Sequence, residues 1–68
     1  MRVTITDVAN AIGGWKIANG GQMPSFHDLL AILGCNQHDL REELEMAEQV
    51  QAIYEPSPGR YDVVPGML

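Results

Sequence analysis

The stretch from Met23 to Gln49 constrains the fold most, because its signals predict two helices joined by a tight turn. Ser25 and Asp28, three residues apart after Pro24, form a capping box in which each side chain satisfies a backbone N–H at the start of a helix. Gly34 ends that helix, since glycine adopts the left-handed conformation without steric cost. The residues between them predict a helix over 26–33, with an apolar face at helical spacing made of Phe26, Leu29, Leu30 and Leu33.

A second cap follows the glycine. Asn36, with Asp39 at the third position after it, begins a helix predicted over 37–49. The residues that this helix turns inward are Leu40, Leu44 and Ala47. Two helices joined by a turn of about three residues form the helix-turn-helix unit. The unit is typical of modules that bind other macromolecules.

The residues before this unit predict a first helix over 5–18. Thr4 and Asp7 form another capping box, and the Asn19-Gly20-Gly21 segment ends the helix. Its apolar positions recur at near-helical spacing and place Trp15 in the core with Ile5, Val8 and Ile12. Gly13 and Gly14 each cost about 1 kcal/mol relative to alanine inside a helix. The two glycines either bend or break the helix or form a notch against which another helix packs closely, and we favour the notch.

The residues after the third helix predict a β-hairpin. Two alternating segments, 51–55 and 60–64, flank the turn residues Pro56-Ser57-Pro58-Gly59. Ile53 and either Tyr61 or Val63 should face the helices, because a two-stranded hairpin is marginal unless one face packs on something. Tyr54 and Tyr61 are expected to pair across the strands. Three helices, a wing over 51–64 and a tail over 65–68 predict a single α+β domain, a small winged helix.

From about Asp7 to Val64 the chain resembles the N-terminal DNA-binding domain of the LexA-type SOS repressors. Met23-Pro24-Ser25 stands where that family has the loop before its second helix, and 29–34 resembles its "E-I-A-x-x-L-G" helix. Glu42-Glu43-Leu44 matches an acidic pair and a leucine in its recognition helix, and Gln51-Ala52-Ile53 matches its "K-G-x-I" segment before the wing. The resemblance implies a dimeric, sequence-specific transcription regulator in which Glu42 and Glu43 accept hydrogen bonds from cytosine. Nothing in the chain resembles the family's self-cleaving protease domain.

The charge of the chain disfavours nucleic acid as the partner. Four lysines and arginines stand against nine aspartates and glutamates, which gives a formal net charge of −5 and a pI near 4.6. Proteins bind a phosphate backbone through lysine and arginine, with release of counterions. A dimer would double the negative charge without changing its sign. The alternative is that the acidic residues of the third helix serve only as a solvated surface.

A helical wheel identifies the candidate partner-binding residues. The outward face of the third helix, together with the wing, carries His38, Arg41, Glu42, Glu45, Met46, Gln49 and Arg60. The preferred hypothesis is a small acidic regulator or inhibitor, of the kind that phage and mobile elements encode, which docks on a basic protein surface. The alternative is a DNA-binding transcription regulator of the winged-helix type. In both hypotheses the protein is a monomer or a homodimer and does not bind a membrane.

A third possibility is a structural component of a larger assembly, with Trp15, Met67 and Leu68 as exposed contacts. The sequence does not predict a catalytic nucleophile, because the Ser25 side chain caps a helix and Cys35 has no neighbouring pattern that would activate it. His27, Cys35 and His38 are the available soft metal ligands, and zinc sites require four. We therefore expect no catalytic site, metal or cofactor. The lone cysteine and the absence of a signal-peptide pattern predict a cytoplasmic protein.

Overall fold

The computed structural model describes residues 3–66 of the 68-residue chain. Three helices, α1 (Ile5–Ala18), α2 (Phe26–Leu33) and α3 (Gln37–Gln49), precede two antiparallel strands, β1 (Ile53–Ser57) and β2 (Arg60–Val63). The predicted α+β class is confirmed, and the order of elements is consistent with a small winged-helix layout. No helix within the described residues is both long and apolar enough to cross a membrane.

Local capping signals account for the positions of the helix ends. Thr4 and Ser25 each accept a hydrogen bond from the backbone N–H of an aspartate three residues later, and that aspartate's carboxylate accepts from the cap's N–H. At the start of α3, the Asn36 side-chain oxygen accepts a hydrogen bond from the Asp39 N–H, and the Asn36 side-chain amide donates to the Asp39 carboxylate. Gly34 ends α2 in the left-handed conformation, with a φ of 64°. The helix bounds therefore coincide with those that the sequence predicts.

The core lies where the three helices meet the base of the hairpin. Ile12, Leu29 and Leu40 supply one fully buried side chain from each helix, and Ile53 adds one from β1. Half-buried apolar side chains close the core around them, among them Ile5, Phe26, Leu30, Leu33, Tyr61 and Val63. This arrangement confirms the predicted inward faces of α2 and α3, and in α1 it confirms Ile5, Val8 and Ile12 but not Trp15.

Helix α1 differs from its prediction at two places. It runs unbroken through Gly13 and Gly14, and a Cβ atom built on either glycine meets nothing within 4 Å. The expected packing notch within the chain is therefore wrong, because no neighbouring element approaches these glycines. Trp15 is only half-buried, and its buried indole Nε1 has no hydrogen-bond partner among the described residues.

The hairpin register places the two tyrosines on opposite faces. Tyr54 lies opposite Asp62, and Ile53 lies opposite Val63, so the expected pairing of Tyr54 with Tyr61 is wrong. Ile53, Tyr61 and Val63 share the inner face, because side chains alternate along a strand. Strand β1 also extends through Pro56, which the sequence assigned to the turn. An edge strand tolerates proline because one side of it forms no ladder hydrogen bonds.

The hairpin is attached to the helices at both ends. Near its tip, Ser25 forms an isolated antiparallel bridge with Arg60, and the Tyr61 N–H donates to the Pro24 carbonyl over 3.1 Å. Near its base, the Lys16 Nζ donates to the Asp62 Oδ1 over 2.9 Å. The wing is thus held in a fixed position relative to α1 and α2. The proposed contacts Met67 and Leu68 lie outside the described residues.

Candidate interaction surface on helix 3 and the wing

The structure brings six of the seven predicted partner-binding residues to one exposed helix face. We define the α3 face as the exposed side chains of His38, Arg41, Glu42, Glu45, Met46 and Gln49. The seventh residue, Arg60, is half-exposed on β2 and belongs to the wing. The α3 face and the wing together form the α3–wing surface.

Glu43 does not belong to this surface. Only 9% of the residue is exposed, and it lies on the inner side of α3 with Leu40, Leu44 and Ala47. The resemblance implied that Glu42 and Glu43 act as a pair that reads cytosine, and burial of Glu43 removes it from that role. The helical wheel had left Glu43 off the outward face, since position 43 falls beside positions 40 and 47 at 100° per residue.

Both arginines of the α3–wing surface contact the first turn of α2. The Arg41 guanidinium lies 5.1 Å from the centre of the Phe26 ring, a cation–π distance. The Arg60 Nη1 donates to the Met23 carbonyl over 3.1 Å and lies 3.6 Å from the Asp28 Oδ2. Each cation therefore has an intramolecular partner. A phosphate group would have to compete with those partners for either guanidinium.

The carboxylates of α3 dominate the charge of the surface. Helix α3 carries five of the chain's nine acidic residues and a single arginine. Glu42, Glu45 and Glu48 are exposed, and the Glu42 Oε1 lies 3.1 Å from the exposed His38 Nε2. Glu48 was not among the seven predicted partner-binding residues. The three carboxylates are spaced three residues apart, so they form one row that runs obliquely along the helix surface.

The charges of α3 act on Tyr61 of the wing, which the sequence did not predict. Burial raises the pKa of Tyr61 above its ordinary value of 10.0, and the negative charges of Glu55 and Glu48 raise it further, while Arg41 opposes them. The phenol therefore lies near charged groups of both elements. Glu55 accepts a hydrogen bond from the Gly59 N–H and thereby stabilises the turn of the wing. Carboxylates of both elements therefore act on the same phenol.

The first turn of α2 carries the other perturbed group. The Ser25 backbone N–H donates to the Asp28 carboxylate over 2.9 Å and is the main cause that lowers the pKa of Asp28 below its ordinary value of 3.8. Burial opposes this effect and is the second largest cause, while the Ser25 hydroxyl and the charges of Arg60 and His27 lower the pKa further. Asp28 is thus ionised at neutral pH and serves as both a helix cap and a partner of Arg60.

Within residues 3–66, the structure forms no group of three or more His, Cys, Asp and Glu side chains that could hold a metal ion. His27, Cys35 and His38 in particular are not gathered into such a group.

Three comparisons, with protein-family models, with curated proteins and with solved structures, find no match to this chain. The LexA-type resemblance therefore stays a prediction.

Proposed function

We propose that the protein is a small non-enzymatic regulator or inhibitor that binds a basic surface of another protein through the α3–wing surface. One observation carries this proposal: the exposed carboxylates of α3 outnumber its cations, and Arg41 and Arg60 already contact the first turn of α2. A surface with this charge attracts lysines and arginines and repels phosphates. Met46, which is 47% exposed beside the row of carboxylates, adds an apolar contact.

The layout of the fold supports a second candidate, a DNA-binding transcription regulator. Helix α3 exposes a long face next to a wing, and in winged-helix DNA-binding domains the corresponding helix enters the major groove. On this alternative Arg41 and Gln49 read guanine and adenine. Phosphate contacts normally supply half or more of the hydrogen bonds to DNA, and the described residues of this surface offer only two cations for them.

The two candidates are separated by the class of molecule that the chain retains. We would immobilise the full chain and expose it to lysate of the native host, with and without nuclease, at low and moderate salt. The proposal expects a defined protein that survives nuclease treatment and is released at higher salt, because charge pairs at a surface are screened. A retained fraction that disappears with nuclease would instead establish the DNA-binding alternative.

Substitutions then locate the binding surface. Glu42→Lys with Glu45→Lys should abolish binding of a protein partner, because both substitutions reverse the charge of the α3 face. A milder pair, Glu42→Gln with Glu45→Gln, has a matched control in Ala18→Lys with Ala31→Lys, which changes the net charge equally at exposed positions of α1 and α2. The glutamine pair should weaken binding and the control pair should not. Equal effects of the two pairs would contradict a localised acidic contact.

Arginine substitutions provide the opposite test. Arg41→Ala should abolish DNA binding if the chain is a transcription regulator, and should leave or strengthen binding to a basic protein. Arg41 is the cleaner probe of the two arginines, because Arg60→Ala also removes the contacts that hold the wing to α2. Loss of a protein partner on Arg41→Ala would contradict the proposed role of the carboxylates as the dominant contacts.

A further inference from the structure

The turn that follows α1 contains an asparagine with a reactive neighbour. The sequence holds three asparagines, at positions 10, 19 and 36, and among them only Asn19 precedes a glycine, Gly20. The side-chain amide carbon of an asparagine is open to attack by the backbone nitrogen of the next residue. A glycine in that position favours the attack, because it has no Cβ to crowd the nitrogen or restrict its backbone.

The structure leaves this pair of residues open. Asn19 and Gly20 are both exposed, and a Cβ atom built on Gly20 would meet nothing within 4 Å. The Gly20 N–H donates to no backbone carbonyl within residues 3–66, whereas the next N–H, that of Gly21, donates to the Lys16 carbonyl over 2.7 Å. The nitrogen that would attack therefore lies in an exposed turn and is not held by the backbone hydrogen bonds on either side of it.

The other two asparagines lack these conditions. Asn10 lies inside α1, so the nitrogen of the following residue, Ala11, belongs to the hydrogen-bonded ladder of the helix. Asn36 is fixed at both side-chain atoms, because its oxygen accepts from the Asp39 N–H and its amide donates to the Asp39 carboxylate. Reactivity of this kind is thus confined to the turn after α1.

We propose that Asn19 is a site of spontaneous deamidation, a covalent modification for which water is the co-reactant. The Gly20 nitrogen loses its proton to hydroxide and forms a bond to the Asn19 Cγ. The bond from Cγ to Nδ2 breaks, and Nδ2 takes a proton from water and leaves as ammonia. Water then adds to either carbonyl of the resulting succinimide ring, which opens to aspartate or to isoaspartate. The proposal holds whichever partner the α3–wing surface binds.

The folded turn controls the rate of this reaction. Asn19 is the C-cap of α1, with a φ of −121° and a ψ of 27°, and its Nδ2 donates to the Trp15 carbonyl over 2.9 Å. That hydrogen bond holds the side chain against the last turn of the helix, so ring closure requires the turn to open. Helix ends open at a small cost in free energy. The folded chain should therefore react, but more slowly than the unfolded chain.

The modification should loosen the end of α1. It removes the amide that donates to the Trp15 carbonyl and places a carboxylate at the negative end of the helix dipole. Isoaspartate also lengthens the backbone beside the hydrogen bond from Gly21 to Lys16. The product should therefore melt at a lower temperature, and its Gly21 N–H should exchange with solvent faster.

Charge variants of Asn19→Asp and Asn10→Asp test this effect on the fold. Both substitutions replace an exposed asparagine of the same segment and change the net charge equally, but only the first removes a helix cap. Asn19→Asp should lower the melting temperature by about 2 to 6 °C relative to Asn10→Asp. Equal melting temperatures would contradict the loosening of α1 that the modification is expected to cause.

Incubation of the folded full chain at mildly alkaline pH tests the modification itself. Anion-exchange chromatography should resolve a more acidic product, and peptide mapping by mass spectrometry should place the change at Asn19. Asn19→Gln should slow its formation at least about tenfold, because glutamine must close a larger ring. The matched control Asn10→Gln, at an exposed position of α1, should leave the rate unchanged. A chain that forms no acidic product, or forms it equally at Asn10 or Asn36, would overturn the proposal.

Discussion

The Arg60 guanidinium lies 3.6 Å from the Asp28 carboxylate and thereby joins the tip of the wing to the first turn of α2. The contact is reinforced by the hydrogen bond from Arg60 to the Met23 carbonyl and by the backbone bridge between Ser25 and Arg60. The position of the wing beside α3 is thus set by the segment that begins α2. A partner that binds both α3 and the wing meets a surface whose two parts are already fixed.

The first prediction concerns this connection. Arg60→Met removes the hydrogen bond and the ion pair while it keeps much of the aliphatic volume, and should cost about 1 kcal/mol of unfolding free energy because both contacts are partly exposed. Urea unfolding measures this cost. Hydrogen exchange of the Tyr61 N–H, which donates to the Pro24 carbonyl, should accelerate. Arg60→Lys, which keeps the charge but loses the planar fork, should recover only part of the loss.

The second prediction concerns stability in acid. Asp28 has a lowered pKa in the folded state, so its contribution to stability is present above its ordinary pKa of 3.8 and is lost as the pH falls below that value through the lowered one. Unfolding free energy measured against pH should therefore decline more steeply in the wild type than in Asp28→Asn below about pH 4. Parallel declines in the two proteins would contradict the role assigned to this carboxylate.

The third prediction concerns stability in alkali. The folded state favours the neutral phenol of Tyr61, so stability should fall as the pH rises above 10.0, where the unfolded chain loses this proton first. A Tyr54→Phe variant leaves Tyr61 as the remaining tyrosine, and its phenolate absorbance then gives the pKa directly. Replacing Glu55 and Glu48 with glutamine should lower that pKa toward its ordinary value. Burial should keep it raised in part, because desolvation is the largest cause.

The local parts of the fold could be predicted because their signals lie within a few residues. Thr4 with Asp7 and Ser25 with Asp28 cap helices that they adjoin, and Gly34 needs only its own backbone freedom to end α2. The outward residues of α3 follow from the helical period once the inward ones are chosen. Six of the seven candidate residues therefore lie together on one face as the wheel places them.

The long-range parts could not be predicted from the same signals. The partners of Arg60 and Arg41 lie on α2, and the position of Tyr61 depends on how the hairpin packs against α3. The pairing of Tyr54 with Asp62 depends on a register that the irregularity between Tyr54 and Ser57 alters. A one-residue difference in register moves a side chain to the other face of a strand. Hairpin alternation alone therefore placed the two tyrosines wrongly.

The fourth prediction tests the core against the exposed apolar surface. Ile12 is fully buried, so Ile12→Ala should cost about 2 to 5 kcal/mol through lost burial and the cavity that remains. The unfolding free energy of a domain of this size is only a few kcal/mol, so the variant should be largely unfolded at moderate temperature. The matched substitution Ile17→Ala, at a position 88% exposed, should change the unfolding free energy of dilute protein by less than about 0.5 kcal/mol. Circular dichroism during thermal unfolding distinguishes the two.

The fifth prediction contrasts two glycines with opposite backbone requirements. Gly34 adopts a φ of +64°, which side-chain-bearing residues rarely occupy, so Gly34→Ala should destabilise the chain by about 1 kcal/mol although the space is open. Gly13 has helical geometry and open space, so Gly13→Ala should stabilise the dilute monomer by about 0.5 to 1 kcal/mol. Denaturation midpoints measured side by side should shift in opposite directions. A loss of stability in Gly13→Ala would contradict the open space at this position and would show that another part of the chain packs against α1 there.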